Sequence, residues 1–154
     1  MSLIAVGAGS TEPVTIVNAP FFPDLTVSDF RDSMRIDGTV TEHRATNALL
    51  AAMFDVNGQL ANWVETQQAA GHQSLIDVTP PPWYPADAYK TLYLRAVWSL
   101  GKANLVERYR DFDSTNSGHG RADEMVSVVD DLRRDAAWAI ADILGRRRTT
   151  VELI

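Results

Sequence analysis

The sequence predicts a mainly α-helical protein, a bundle of three to four helices carried between extended N- and C-terminal arms. Three observations point there. Apolar residues recur at steps of three and four over long stretches, which is the spacing of one helix face. Capping and breaking residues bracket those stretches. Strand-like alternation is confined to the two ends. The helices are expected at about 26–36, 40–70, 87–111 and 121–144, inside a helical domain of residues 21–145 flanked by arms at 1–20 and 146–154.

The N-terminal arm is punctuated by Gly7, Gly9, Ser10, Pro13 and Pro20, and Val14 to Val17 has the makings of a short edge strand. Phe21-Phe22-Pro23-Asp24-Leu25 follows as a compact apolar plug. Thr26 and Asp29 have the spacing of a capping box, and Val27, Phe30 and Met34 recur at helical steps behind them. Asp37-Gly38 is read as the stop.

Thr39 and Glu42 repeat the capping-box spacing. Behind them Ala45, Ala48, Leu49, Ala52, Met53, Val56, Leu60, Trp63 and Val64 keep one phase. Asn57-Gly58 could turn the chain, but the stripe runs through it unshifted, so one helix is expected, ended by Gly71. Pro80, Pro81, Pro82 and Pro85 make a loop of the next stretch and exclude helix and central strand alike. Trp83 and Tyr84 sit within it, either covering the edge of the core or anchoring a neighbouring subunit.

Asp87 suits the cap of the third helix. That helix carries two apolar stripes, one through Leu92, Ala96, Val97, Leu100 and Ala103, the other through Leu94, Trp98, Leu105 and Tyr109. A helix apolar on nearly all sides belongs in the middle of a bundle. After a polar loop at 111–120, Met125, Val128, Val129, Leu132, Ala136, Ala139, Ile140 and Ile143 mark the face of the last helix, and Gly145 ends it. Trp138 falls off that stripe and is read as half exposed or part of an interface. Beyond Arg146, Arg147 and Arg148 the tail alternates, with Val151 and Leu153 on one side, then Ile154. A strand-like end is an invitation to pair with another chain.

Bulk composition narrows the function. Cysteine is absent, which excludes disulfides and thiolate metal sites. The start of the chain lacks the basic and apolar regions of a signal peptide, and no apolar run approaches the roughly 18 residues of a membrane span. No membrane partner is expected. The net charge of -6 argues against wrapping nucleic acid, since phosphate affinity comes from Lys and Arg. It does not exclude passing DNA, since weak repulsion would help a channel wall that must let DNA slide.

Chemistry-bearing motifs are scarce. His43, His72 and His119 have no second His at helical spacing, so no metal site is expected. Asp111 and Asp113 begin like a calcium loop, but Asn116 stands where Gly is needed and Ala122 where the bidentate Glu should be. Gly7-Ala8-Gly9 lacks the third glycine of a dinucleotide motif, and Gly101-Lys102 lacks the upstream glycine of a phosphate loop. No catalytic residue and no cofactor site can be nominated. Arg108, Arg110, Arg133 and Arg134 flank the acids Glu107, Asp111, Asp130, Asp131 and Asp135. They read either as pairs within a helix or as pairs between subunits of a ring.

Several of these segments resemble one family in order and spacing. They are the Phe21-Phe22-Pro23-Asp24 plug, the stretch from Ala96-Val97 to Leu105-Val106-Glu107-Arg108-Tyr109-Arg110, and Asp131-Leu132-Arg133-Arg134-Asp135 with Trp138-Ala139-Ile140. Together they resemble the head-completion proteins (the GpL family) of tailed temperate phages with contractile tails, from about residue 18 onward. The resemblance implies a non-enzymatic adaptor made in the bacterial host cytoplasm and built into the head-tail neck of the virion. Its implied partners are the portal protein, neighbouring neck or tail proteins, and copies of itself in a ring of twelve matching the portal. Packaged DNA would pass through without sequence-specific binding. Trp83, Tyr84, Arg108, Arg110, Arg133, Arg134 and Trp138 are then the candidate subunit interface. Arg146, Arg147, Arg148, Val151, Leu153 and Ile154 are the candidate portal-docking arm. A tail terminator, a scaffold component, a small hydrolase built on His119 and a DNA-binding regulator are the competing readings.

Overall fold

The computed structural model describes residues 13–110 and 119–147, with side chains for 13–108 and 126–147. Four helices form among them: α1 (Val27–Met34), α2 (Glu42–Ala69), α3 (Ala88–Arg110) and α4 (His119–Ile143). Two short strands, β1 (Thr15–Ile16) and β2 (Leu25–Thr26), pair antiparallel, with Thr15 opposite Thr26 and Ile16 opposite Leu25. A single 3₁₀ turn at Leu75–Asp77 lies in the connection between α2 and α3.

The start of α1 differs from its expected cap. Thr26 is the N-cap but makes no side-chain hydrogen bond to the helix. The N–H of Val27 donates to the Val14 carbonyl at 3.0 Å, so the β1 side of the hairpin satisfies the first free N–H of the helix, one that a capping side chain does not serve. The end of α1 also comes early. Arg35 takes a left-handed conformation, φ 51°, and the Ile36 N–H closes back on Arg31 O at 2.9 Å. Arg31 then ties down the following turn by donating to the carbonyls of Asp37 and Val40, both at 2.8 Å. Thr39 is engaged with the Asp37 carboxylate in that turn, and Thr41 caps α2 in its place.

α2 is one helix of 28 residues, about 42 Å long at 1.5 Å per residue, and it passes through Gly58 without a break. Ala45, Ala48, Leu49, Ala52, Met53, Val56 and Leu60 form its buried face. Continuous burial of that face outweighs the cost of about 1 kcal/mol for a glycine in a helix interior. Gly71, with φ 99°, ends the helix, and the N–H of His72 returns to Gln67 O.

α3 packs along both α2 and α4, whereas α2 and α4 hardly touch. Its burial on both sides explains the two apolar stripes. Gly101 lies where α1 leans on α3: a β-carbon there would stand 3.1 Å from the ring of the fully buried Phe30. On α4, Val129, Ala136, Ala139, Ile140 and Ile143 are buried, but Val128, assigned to the same stripe from sequence, is half exposed. Gly145, φ 65°, closes α4, and Arg146 N–H returns to Ala141 O.

Candidate subunit and partner interface

The plug fixes one end of the α2–α3 hairpin. Phe21 and Phe22 are buried, Phe22 stacks on Tyr93 of α3 at 4.6 Å, and Phe21 meets Trp63 of α2 edge-on at 6.1 Å. Trp63 in turn lies against Tyr89. Beneath the plug is a closed triangle of polar side chains. Asn18 Nδ2 donates to Tyr93 Oη at 2.7 Å, Tyr93 Oη donates to Asn57 Oδ1 at 2.7 Å, and Asn57 Nδ2 donates to Asn18 Oδ1 at 2.9 Å. Asn18 also donates to Pro23 O and accepts from Ala19 N, so all its amide positions are used. Burial pushes the Tyr93 phenol up to about 12, with the Asn18 hydrogen bond opposing in part. Sequence reading missed this triangle, because its corners stand 36 to 75 positions apart. It also ties residues 14–20 to the core at Asn18, with Ile16 buried nearby, while Thr15, Val17, Ala19 and Pro20 stay exposed.

The proline connection is held firmly at its base. Leu75 is buried and donates its N–H to Phe21 O at 2.8 Å, and Ser74 and Asp77 satisfy one another across the 3₁₀ turn. The Tyr84 N–H donates to Pro81 O, closing a tight turn with Pro82 and Trp83 at its corners. Trp83 is 78% exposed. It does not cover the edge of the core, as one of its two readings had it; Tyr84, half-buried beside it, comes closer to that role. Ile76 in the same connection is 65% exposed. Two large apolar side chains therefore stand out from a backbone whose turns are fixed.

The charged faces of α3 and α4 pair largely across the hairpin, an arrangement neither sequence reading contained. Arg133 donates to Glu107 at 2.6 Å and Arg95 to Asp135 at 3.1 Å, both between helices. Arg134 pairs with Asp131 within α4 and lies 5.2 Å from the ring of Trp138, which is half-buried. Arg108 is exposed, as are Arg146 and Arg147 past the end of α4. The side chain of Arg110, the residues of the calcium-like loop, the His119 side chain, and Arg148, Val151, Leu153 and Ile154 lie outside the described residues.

A cleft of about 240 Å³ opens at the other end of the hairpin, between the α1–α2 turn and α3. Ile36, Val40, Leu105 and Val106 line it, with Arg35 and Lys102 beside them. Lys102 Nζ reaches over to the exposed end of α1 and donates to Met34 O at 2.6 Å. On the same turn, hydrogen bonds from the Thr39 side chain and backbone hold the Asp37 carboxyl below its usual range. The sequence gives little notice of this cleft, since it depends on the unforeseen left-handed turn at Arg35. Among the described residues there is no group of three or more His, Asp or Glu placed to hold a metal ion, and no helix long and apolar enough to cross a membrane.

The fold and these surfaces define a small helical protein with exposed apolar side chains on a fixed connection and a cleft of apolar and charged residues. The chain belongs to the phage head completion protein (GPL) family, whose model matches residues 16–154. It is similar to the head completion/stabilization protein of Escherichia phage P2, with 38% identity over 144 residues, covering 93% of this chain and 84% of that one. It is also similar to the probable head completion/stabilization protein of Haemophilus phage HP1, 24% identical over 143 residues, covering 93% of this chain and 94% of the relative. No solved structure gives a significant match.

Proposed function

We propose that this chain is a neck adaptor: it docks on the portal of DNA-filled heads, forms a ring that extends the DNA channel, and stabilises the packaged DNA. Its part is structural and requires no catalysis. The observation that carries the reading is the exposed Trp83 on a proline-fixed turn, in a member of a head-completion family. An exposed, pre-ordered aromatic is the kind of side chain that anchors an interface, because little entropy is lost when it is buried. The net charge of -6 supports a conduit over a clamp, since a wall that attracts phosphates would retard DNA. A ring needs two different faces per subunit, and the described residues offer the proline turn at one end of the hairpin and a charged cleft at the other. The basic Arg146 to Arg148 run and the alternating tail that follows it are the arm we assign to the portal.

Size-exclusion chromatography with light scattering tests this directly, on the protein alone and mixed with purified portal rings. Co-elution near one copy per portal subunit is the expected result, with loss of binding when residues 146–154 are removed. A chain that stays apart from portal rings, while binding tail components or immature heads, would instead make it a tail terminator or a scaffold component.

A further inference from the structure

We propose that the cleft beside Arg35 and Lys102 is the receptor for Trp83 of a second copy of this chain, so that the ring is closed by a knob from one end of each hairpin entering a hole at the other end of the next. The proposal rests on the adaptor reading and names the contact that reading leaves open. The size of the cleft is the first argument. At about 240 Å³ it is smaller than the roughly 300–1,000 Å³ of small-molecule sites, and suited to one large side chain. Its chemistry is the second. Ile36, Val40, Leu105 and Val106 offer an apolar floor, and the two cations beside them suit the electron-rich face of an indole, the best of the cation–π acceptors.

Charge complementarity is the third argument. The connection that presents Trp83, residues 71–87, contains Asp77 and Asp87 and no Lys or Arg, while the cleft sets two cations, Arg35 and Lys102, against the one carboxylate of Asp37, so the two surfaces are opposite in net sign. Geometry selects the second copy. The cleft lies by the start of α2 and the far part of α3, whereas Trp83 stands before the start of α3, and Ala88 to Lys102 alone is about 21 Å along that helix. The Tyr84–Pro81 and Leu75–Phe21 hydrogen bonds hold the connection there, so Trp83 cannot reach the cleft of its own chain. A knob and hole on different faces of one subunit make a head-to-tail contact, which closes into a ring when the rotation between neighbours permits.

The absence of cysteine allows the contact to be read by crosslinking. Ala86→Cys, which keeps Trp83, and Val106→Cys are prepared separately, mixed, added to DNA-filled heads that lack this protein, and treated with a short bis-maleimide. A mixed crosslinked dimer is expected, absent when the control Gln59→Cys on the side of α2 replaces either partner. Trp83→Ala should retain the thermal transition of the parent, since the side chain is exposed, and should weaken subunit association about 30-fold. Val106→Trp, which fills the hole, should do the same. Heads that bind the protein at full occupancy without the mixed crosslink would overturn this contact and leave the adaptor reading standing. Failure of the parent protein to bind heads at all would overturn both.

Discussion

The two sides of α3 are held in different ways. Toward α1 and α2 it meets rings and a closed polar triangle: Phe30 against Gly101, Phe22 on Tyr93, and Tyr93 joined to Asn18 and Asn57. Toward α4 it meets small and aliphatic residues, Ala136, Ala139, Ile140 and Ile143, edged by half-exposed ion pairs. The first side specifies one arrangement, because a ring seated on a glycine and a fully used amide have no second position of equal energy. The second side is a layer that apolar periodicity alone can assemble. The adaptor role we propose has use for both: a hairpin that fixes the distance between its two ends, and an outer helix whose charged edge stays within reach of a neighbour.

The largest effect should come from emptying the specified side. Phe30 is fully buried, and Phe30→Ala should lower unfolding free energy by about 3–5 kcal/mol, measured by urea denaturation. A loss below 1 kcal/mol would mean that α1 is not seated on α3 as described. Asn57→Ala comes next, at about 1–3 kcal/mol, because it leaves the buried Tyr93 hydroxyl without its acceptor and takes one of the two donors from Asn18 Oδ1. The double variant with Tyr93→Phe should cost less than the two single changes summed, the signature of one network.

These two predictions mark where sequence legibility ends. The helix faces were readable, since burial at steps of three and four is a local signal; α2 through Gly58 and the central place of α3 both follow from it. Capping was readable only as a motif. Thr26 has the right spacing, but its side chain makes no hydrogen bond to the helix, and the first free N–H, that of Val27, is met by Val14, whose position depends on a strand pairing. Gly101 looks like half of a phosphate loop or a helix defect until Phe30 is placed beside it. The polar triangle had no local signal at all. For the candidate interface, the proline run announced a loop, and its apolar members Ile76 and Trp83 prove exposed. The cleft went unseen because a non-glycine residue, Arg35, takes the left-handed turn that opens it.

Raising pH should dismantle the specified side first. Burial raises the Tyr93 phenol to about 12 in the folded protein, against an ordinary value near 10. The folded state therefore keeps this proton more tightly than the unfolded chain does. That stability is fully present below pH 10 and is lost as pH climbs from about 10 to 12. Urea midpoints across this window should fall more steeply for the parent than for Tyr93→Phe, which has no phenol to ionise. Equal slopes would place the ring in contact with solvent and remove the burial that defines this side.

The smallest effect belongs to the other side, and it separates the two ways of using its charges. Arg133 and Glu107 are 2.6 Å apart with side chains 49% and 39% exposed. Such a pair contributes only about 0.2–1 kcal/mol, because water screens it and two long side chains must be held still. Arg133→Ala should thus shift the urea midpoint slightly, and less at high salt. A double-mutant cycle with Glu107→Ala then decides who owns the pair. Coupling measured on the isolated protein at low salt would assign it to the α3–α4 hairpin. Zero coupling there, together with a loss of subunit association in both single variants, would release Arg133 and Glu107 to opposite faces of the ring contact. The outer helix would then be held to α3 by its apolar face alone.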